Sequence, residues 1–467
     1  MSPVTSQPGG APWPMQARWW PLLAEVDAPA NCRALLVNGR IDVALLVEAI
    51  HTVVEDHPVL RSRLSDADGV LRLHDPCLPV TVVVRAADPA ECARTLRERA
   101  GAAHDPRHDP LVRFDVVRLA PDQLVLAMTA HLLAADLGSL YGTLGAVLRA
   151  YAGRYRPDRS SSPPQIPPAS TSREAWWSQR LATWQRAGTL TAALGRPDPV
   201  GRTTTTQVQT VDGSAWQRLA DRAEAAGGSA DLAVVALLAA WRAARSAHRG
   251  TAVFAAWTDL RPTHGGHRLI GPISDQIAFA VDLEGHADLT FDEMLRRTRA
   301  GLLDTMVRYI PYDDLRRLHR LHHPGAPPPW DLRVHFCRFR PRSAFTRGEE
   351  SLAALGLSVE LFRESELLVA PPLSGPATWD GVSADLFVTE HGTEDVALTL
   401  QHDVEAVDAT TASLILRSIS DMIGVVAAGS GEPLSRWVMP GTAEDGSSPP
   451  QAFSPVVSHP LRKDRYR

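Results

Sequence analysis

Ala130-His131-Leu132-Leu133-Ala134-Ala135-Asp136-Leu137-Gly138-Ser139 is the stretch from which the rest of the chain is read. A long apolar run, Gln123 to Leu132, leads into it and has the composition of a buried strand. Leu140 to Tyr151, which follows it, spaces its apolar residues as a helix does. The segment is therefore a strand-to-helix turn carrying a histidine, an aspartate and a serine. Side chains alternate along a strand, so His131 points with Thr129, Ala127 and Val125, while Leu132 points with Ala130, Met128, Leu126 and Leu124. The Leu132 face is apolar throughout, and only a bulge or register shift would carry His131 onto it. The plain expectation for His131 is a buried ring bonded to nearby backbone. For Asp136 it is a solvent-exposed cap on the helix that starts near Ser139.

A chain of 467 residues is long enough for two or three domains that each bury a core. Apolar residues at 44% and charged residues at 22% are the balance of an ordinary globular protein. A net charge of −5 leaves no electrostatic footprint for nucleic acid or an anionic membrane. Cys32, Cys77, Cys92 and Cys337 are far apart, without metal-ligand spacing or a dense disulfide pattern, and read as reduced thiols of a cytoplasmic protein. Met1 to Pro14 lacks the basic and apolar regions of a signal peptide, and no run of about 18 apolar residues is present to span a bilayer.

Residues 1–10 and 441–467 are polar or Pro/Ser-rich and are expected to be disordered. One internal break, 156–173, contains Arg-Pro-Asp-Arg-Ser-Ser-Ser-Pro-Pro-Gln-Ile-Pro-Pro and reads as a linker between halves at 11–155 and 174–440. Both halves mix helix and strand. Asp42–Val54 and Ala87–Ala103 read as helices of the first half, and Val80–Val84 as a strand. In the second, Ser214–Ala226, Asp231–His248, Thr290–Tyr309 and Ala409–Ala428 read as helices. Thr251–Thr258, Gln276–Leu283, Leu332–Arg340, Ala384–Thr389 and Val396–His402 read as strands.

The opening segment resembles the HHxxxDGxS signature of the condensation-domain superfamily, the thioester-dependent acyl-transfer enzymes of nonribosomal peptide synthesis and their relatives. His131, Asp136 and Ser139 fall on the first histidine, the aspartate and the serine. Leu132 replaces the second histidine, and Leu137 the glycine. Further matches follow in order: Pro14–Trp20 with the opening Q-x-R-L-W, Gly39–Leu46 with G-x-L-D-x-x-A-L, and Glu55–Arg61 with the exit ending in L-R. Asp109–Arg113 matches the strand before the signature, Ile270–Gln276 resembles I-G-x-F-x-N-T with Asp275 for asparagine, and Ile310–Leu315 resembles V-P-F-E-K-L. Asp385-Leu386, the terminal helix and Leu434–Trp437 complete the series.

The resemblance implies an α/β fold of two chloramphenicol-acetyltransferase-like subdomains arranged as a V-shaped pseudo-dimer. A tunnel would run between them, entered from opposite ends by acyl or peptidyl carrier proteins. The chain would need no cofactor of its own, its substrates being tethered to phosphopantetheine. The motif aspartate of the family is mainly structural and pairs with the arginine of the L-R exit, here Asp136 with Arg61. Removing one partner of such a buried pair costs roughly 3–5 kcal/mol.

In relatives the second histidine deprotonates or orients the attacking amine or alcohol, and general-base help of this kind is worth about 10² to 10⁴ in rate. Leu132 supplies none. Holding an amine against a reactive thioester still lowers the barrier by about 7–11 kcal/mol, which favours a small-molecule amine acceptor and an amide product over an alcohol. Two residues are candidate substitutes: His335, in the strand Arg333-Val334-His335-Phe336-Cys337, and Asp275, a carboxylate able to orient an ammonium. Their bland alternatives are a core or surface strand histidine and a solvated loop aspartate. Asp136 and Ser139 also fit the D-x-x-x-x-D-x-x-S spacing of heterocyclising relatives, but His131 occupies the first aspartate and disfavours cyclodehydration.

His319, His322 and His323 lack further ligands at zinc spacing and read as a solvated helix end; no metal is expected. Trp176, Trp177 and Trp184 fit a helix packed on the core. Two functions stand side by side. One is a free-standing, amide-forming acyltransferase of antibiotic-type biosynthesis that works by positioning. The other is a catalytically inactive scaffold that recruits a tailoring oxygenase or a carrier protein.

Overall fold

The computed structural model describes residues 30–64, 71–72, 80–100, 109–157, 169–184, 189–194, 204–245, 250–264, 269–285, 288–337, 352–362, 382–391 and 395–433. The segments 1–10 and 441–467, residues 158–168 of the expected linker, and the matches at Pro14–Trp20 and Leu434–Trp437 lie outside the described residues.

The first half contains β1 (Ala30–Asn38), α1 (Val43–Asp56), two paired two-residue strands β2 (Arg63–Leu64) and β3 (Leu71–Arg72), β4 (Val80–Arg85), α2 (Pro89–Ala100), β5 (Val112–Ala120), β6 (Gln123–His131) and α3 (Leu137–Tyr151). Asp42 starts α1 by accepting hydrogen bonds from the Ala44 and Leu45 amides. The helix then buries Leu46, Ala49, Ile50, Val53 and Val54 in the core it shares with α3. Each large aliphatic side chain so buried contributes roughly 1.5–3 kcal/mol. Pro58 prevents the helix from continuing.

The second half contains α4 (Thr171–Thr183), β7 (Thr204–Asp212), α5 (Gly213–Ala225), α6 (Ala230–Arg245), β8 (Thr251–Thr258), β9 (Asp275–Asp282), α7 (Phe291–Val307), α8 (Tyr312–His322), β10 (Leu332–Cys337), β11 (Ser358–Leu361), β12 (Ala384–His391), β13 (Asp395–Asp403) and α9 (Ala409–Ala427). Among the described residues two large sheets result, in the orders β11-β1-β6-β5-β4 and β7-β13-β12-β10-β8-β9, beside the small β2-β3 pair. This is the two-layered α/β duplication expected. One short strand crosses between the halves: β11 lies antiparallel to β1, pairing Leu36 with Glu360 and Val37 with Val359.

The period-two pattern sorts each strand onto two faces. On β6, Leu124, Leu126, Met128 and Ala130 join Leu132 in the core beneath α1 and α3, whereas Val125 and Ala127 join Cys32 and the α2 residues Cys92 and Leu96. Burial pushes the Cys32 thiol up to about 11, so it stays an inert thiol. In the second sheet, Phe254, Ala256, Leu332, Val334, Ala384, Leu386, Leu398 and Leu400 face α5, α6 and α9. The opposite face bears Trp257, Gln276, Arg333, His335, Asp385, Phe387 and Gln401. Part of that face is covered by α4 and α8; Trp177, Trp184 just beyond the end of α4, and Tyr312 pack with Trp330. Helix α7 approaches β9 closely because Gly301 has no side chain; a Cβ there would stand 2.0 Å from the Ala280 carbonyl oxygen.

Among the described residues, α9 alone is, as a single helix, long and apolar enough by composition to cross a bilayer. Its stripe of Ile415, Leu416, Ile419, Met422, Ile423 and Val426 lies in the core of the second half.

Candidate functional site

The signature turn begins where β6 ends. His131 is buried, and its Nδ1 accepts a hydrogen bond from the Leu133 amide at 3.0 Å. Its carbonyl accepts from the Ala134 and Ala135 amides. The ring thus closes the turn that carries the chain toward Asp136. Leu132 sits in the apolar core with Ala130 and Met128.

Asp136 combines the two roles that looked like alternatives, with a different partner and without the exposure. It is buried, it caps α3 by accepting from the Ser139 amide at 2.8 Å, and it is ion-paired with Arg261, not with Arg61. Arg261 Nη2 and Nη1 donate to its two carboxylate oxygens at 2.7 and 3.1 Å. The Ile273 and Ser274 amides and the Ser274 hydroxyl donate to Oδ2 at 3.1, 2.9 and 2.8 Å. Ser139 completes the joint: its hydroxyl donates to the Gly271 carbonyl at 2.7 Å and accepts from the Gly271 amide and from Arg261 Nη2. Every one of these partners beyond α3 comes from the other half, so the motif fastens the halves together. Burial alone would raise the Asp136 pKa, but Arg261 and the donors from Ser139 and Ser274 outweigh it and hold the carboxyl below its ordinary range. Arg261 is raised in turn, because the charge of Asp136 outweighs its own burial.

Arg61 ends the short 3-10 turn Pro58–Arg61 and takes no part in this joint. The partner arginine was missed because Asp259-Leu260-Arg261-Pro262 has no motif of its own. One signal is its place between a strand and the Ile270-Gly271-Pro272 segment. Gly138 carries a second signal. A Cβ there would lie 2.6 Å from Arg261 Nη1, so a residue without a side chain stands where the guanidinium passes.

Asp275 is buried at the start of β9 rather than solvated on a loop. Its carboxylate accepts from the Tyr309 hydroxyl at 2.6 Å, the Tyr312 amide at 3.0 Å and the Gln276 amide at 2.8 Å. It holds the α7–α8 turn against the sheet. Burial, and then the Asp275 charge, push the Tyr309 phenol far above its usual pKa.

His335 is placed on the polar face of the second sheet, partly exposed, with Nε2 2.6 Å from Asp385 Oδ1. Arg333 donates Nε and Nη2 to the two oxygens of the same carboxylate at 2.5 and 2.9 Å, and Nη1 to Gln276 at 3.1 Å. Burial would raise the Asp385 pKa, but Arg333 and His335 hold the carboxyl well below the usual carboxylate range. The His335 ring stacks on Phe387 at 4.3 Å and lies 6.3 Å from Trp257, which packs against the core containing Leu132 and Ile270. Sequence reasoning singled out His335 but not its partners.

Of the histidines at the end of α8, His319 is buried, not solvated; its ring meets Trp330 at 5.5 Å, and burial depresses its pKa to about 4. Among the described residues no group of three or more His, Cys, Asp or Glu is placed to hold a metal ion.

No family model matches the chain. The crystal structure of the tallysomycin biosynthesis protein TlmII is similar over 93% of this chain and 100% of its own, at 30% identity and a TM-score of 0.73. The starter condensation domain of rhizomide synthetase RzmA has a TM-score of 0.68 at 17% identity, over 91% of this chain and 96% of its own. The chain belongs to the condensation-domain superfamily. The X-domain from teicoplanin biosynthesis shares the same condensation-like fold at 21% identity and a TM-score of 0.66, over 93% of this chain and 98% of its own, and has also been solved in complex with OxyB. Among curated proteins, the "Probable non-canonical nonribosomal peptide synthetase (NRPS) CymA" of Salinispora arenicola (strain CNS-205) is 24% identical over 326 residues, 64% of this condensation-like chain. The chain spans about 4% of the length of the curated relatives it matches.

Proposed function

We propose that this condensation-like protein joins an acyl group, delivered as a carrier-protein thioester, to an amine acceptor, forming an amide by positioning and without a histidine at Leu132. The observation that supports this reading is the joint between the halves. Asp136, Ser139 and Arg261 hold the signature turn in a buried network although the reacting position of the signature is apolar. An acceptor that is already a good nucleophile needs orientation more than deprotonation. The test is incubation of the protein with acyl-carrier thioesters and amines, followed by mass spectrometry for the amide. Turnover above background supports the reading, and its absence with the carriers encoded beside the gene sinks it.

Leu132 itself favours a second reading, a silent relative that recruits a carrier or a tailoring enzyme. The X-domain solved with OxyB lends it support. Saturable binding to an oxygenase encoded nearby, without amide formation, is the result this reading expects.

A further inference from the structure

The polar face of the second sheet holds three residues whose arrangement the signature does not explain. Asp385 and Arg333 are buried, while His335 is the member of the trio that remains partly exposed. The carboxylate of Asp385 is ionised, so a nitrogen 2.6 Å from its Oδ1 must carry a proton. This puts the hydrogen of the neutral ring on Nε2 and the basic lone pair on Nδ1. Arg333 Nε also lies 3.2 Å from His335 Nε2, but a protonated nitrogen cannot accept, and its N–H goes to Asp385 Oδ1. Phe387 and Trp257 fix the ring plane, and Trp257 ties the cluster to the core that contains Leu132. Among the described residues the charged groups at His335 are Arg333 on its own strand and Asp385 on β12; Gln276 on β9 and Trp257 on β8 are neutral.

We infer that His335, oriented by Asp385 and Arg333, is the general base that replaces the missing histidine, working from the opposite sheet. The inference rests on the amide-forming reading above. As the acceptor nitrogen bonds to the thioester carbonyl carbon, His335 Nδ1 takes one of its protons. The carbon–sulfur bond then breaks, and the same proton passes to the departing thiolate, giving amide and free thiol. His335 is the catalytic residue in this scheme; Asp385 and Arg333 are positioning residues that set its tautomer.

The experiment measures amide formation from an acyl-carrier thioester and a weakly basic aromatic amine, whose own ionisation does not interfere, across pH 5–9. The wild-type rate should rise with pH through one histidine-like ionisation and then level. H335A and H335Q should lower kcat on the order of 10²-fold with little change in KM, and should lose that limb. D385N should lower kcat by a similar factor and shift the limb, which a merely structural role would not do. Wild-type turnover that lacks the limb, or that both His335 variants retain, overturns the base while leaving amide formation standing. Absence of wild-type turnover overturns both. The wild-type pH profile decides the matter even where a variant fails to fold.

Discussion

The molecule contains two buried arginine–aspartate pairs that look alike on paper and are finished differently. Around Asp136 every additional donor is backbone, serine or the same arginine, and the carboxylate is enclosed. Around Asp385 one oxygen is also given to a histidine that reaches the surface. The first arrangement has no group left that can exchange a proton near neutral pH. The second has one. An ion pair closed on all sides holds geometry, whereas one that ends in an imidazole also sets a proton's position.

Five perturbations test this contrast, beginning with the largest expected effect. Arg261→Met strands Asp136 and should lower unfolding stability by roughly 3–5 kcal/mol, read by chemical denaturation. Arg333→Met should cost less, about 1–3 kcal/mol, because His335 can take a proton and replace the lost charge. That compensation needs the imidazolium, so the loss should be smaller at pH 6 than at pH 9. Equal losses at pH 6 and 9 would break the comparison.

The acid response is the next. Because the folded Asp136 pKa is depressed, its contribution is complete above the unfolded value of about 3.9 and is lost as pH falls through the folded one. The urea midpoint of the wild type should hold at pH 5 and drop between pH 4 and 2, and Asp136→Asn should show a shallower drop. A smaller effect is expected from Gly138→Ala. Its methyl meets the Arg261 guanidinium and should cost about 1–3 kcal/mol, with neutral behaviour counting against a tightly held arginine. Leu132→His should change the amide-forming rate least, by under about tenfold, since the base is assigned to the other sheet. A large gain would return the chemistry to the signature.

Local pattern made much of this legible. The alternation on β6 separated His131 from Leu132, and the helices and strands with strong periodicity fell within a few residues of their observed bounds. What pattern could not supply was partnership across the fold. Asp136 and Arg261 are 125 positions apart, and nothing in either neighbourhood distinguishes Arg261 from Arg61 before the halves are docked. Asp275 and His319 are buried by elements that arrive later in the chain, Tyr309 and Trp330 among them. Asp385 pairs with an arginine and a histidine two positions apart on another strand, a relation fixed by the parallel register of β10 and β12.

The β11 strand has a consequence for how the protein is made. The edge of β1 receives its neighbour from a segment far downstream, with Asn38 bonding Glu360 across a separation of 322 residues. During synthesis the first sheet emerges with that edge open and stays so until most of the chain has left the ribosome. Closing so long a loop is slow, and an unfilled edge is a template for pairing with other chains. A fragment ending at residue 155 would inherit the open edge permanently and would be expected to aggregate, however well its own core is packed.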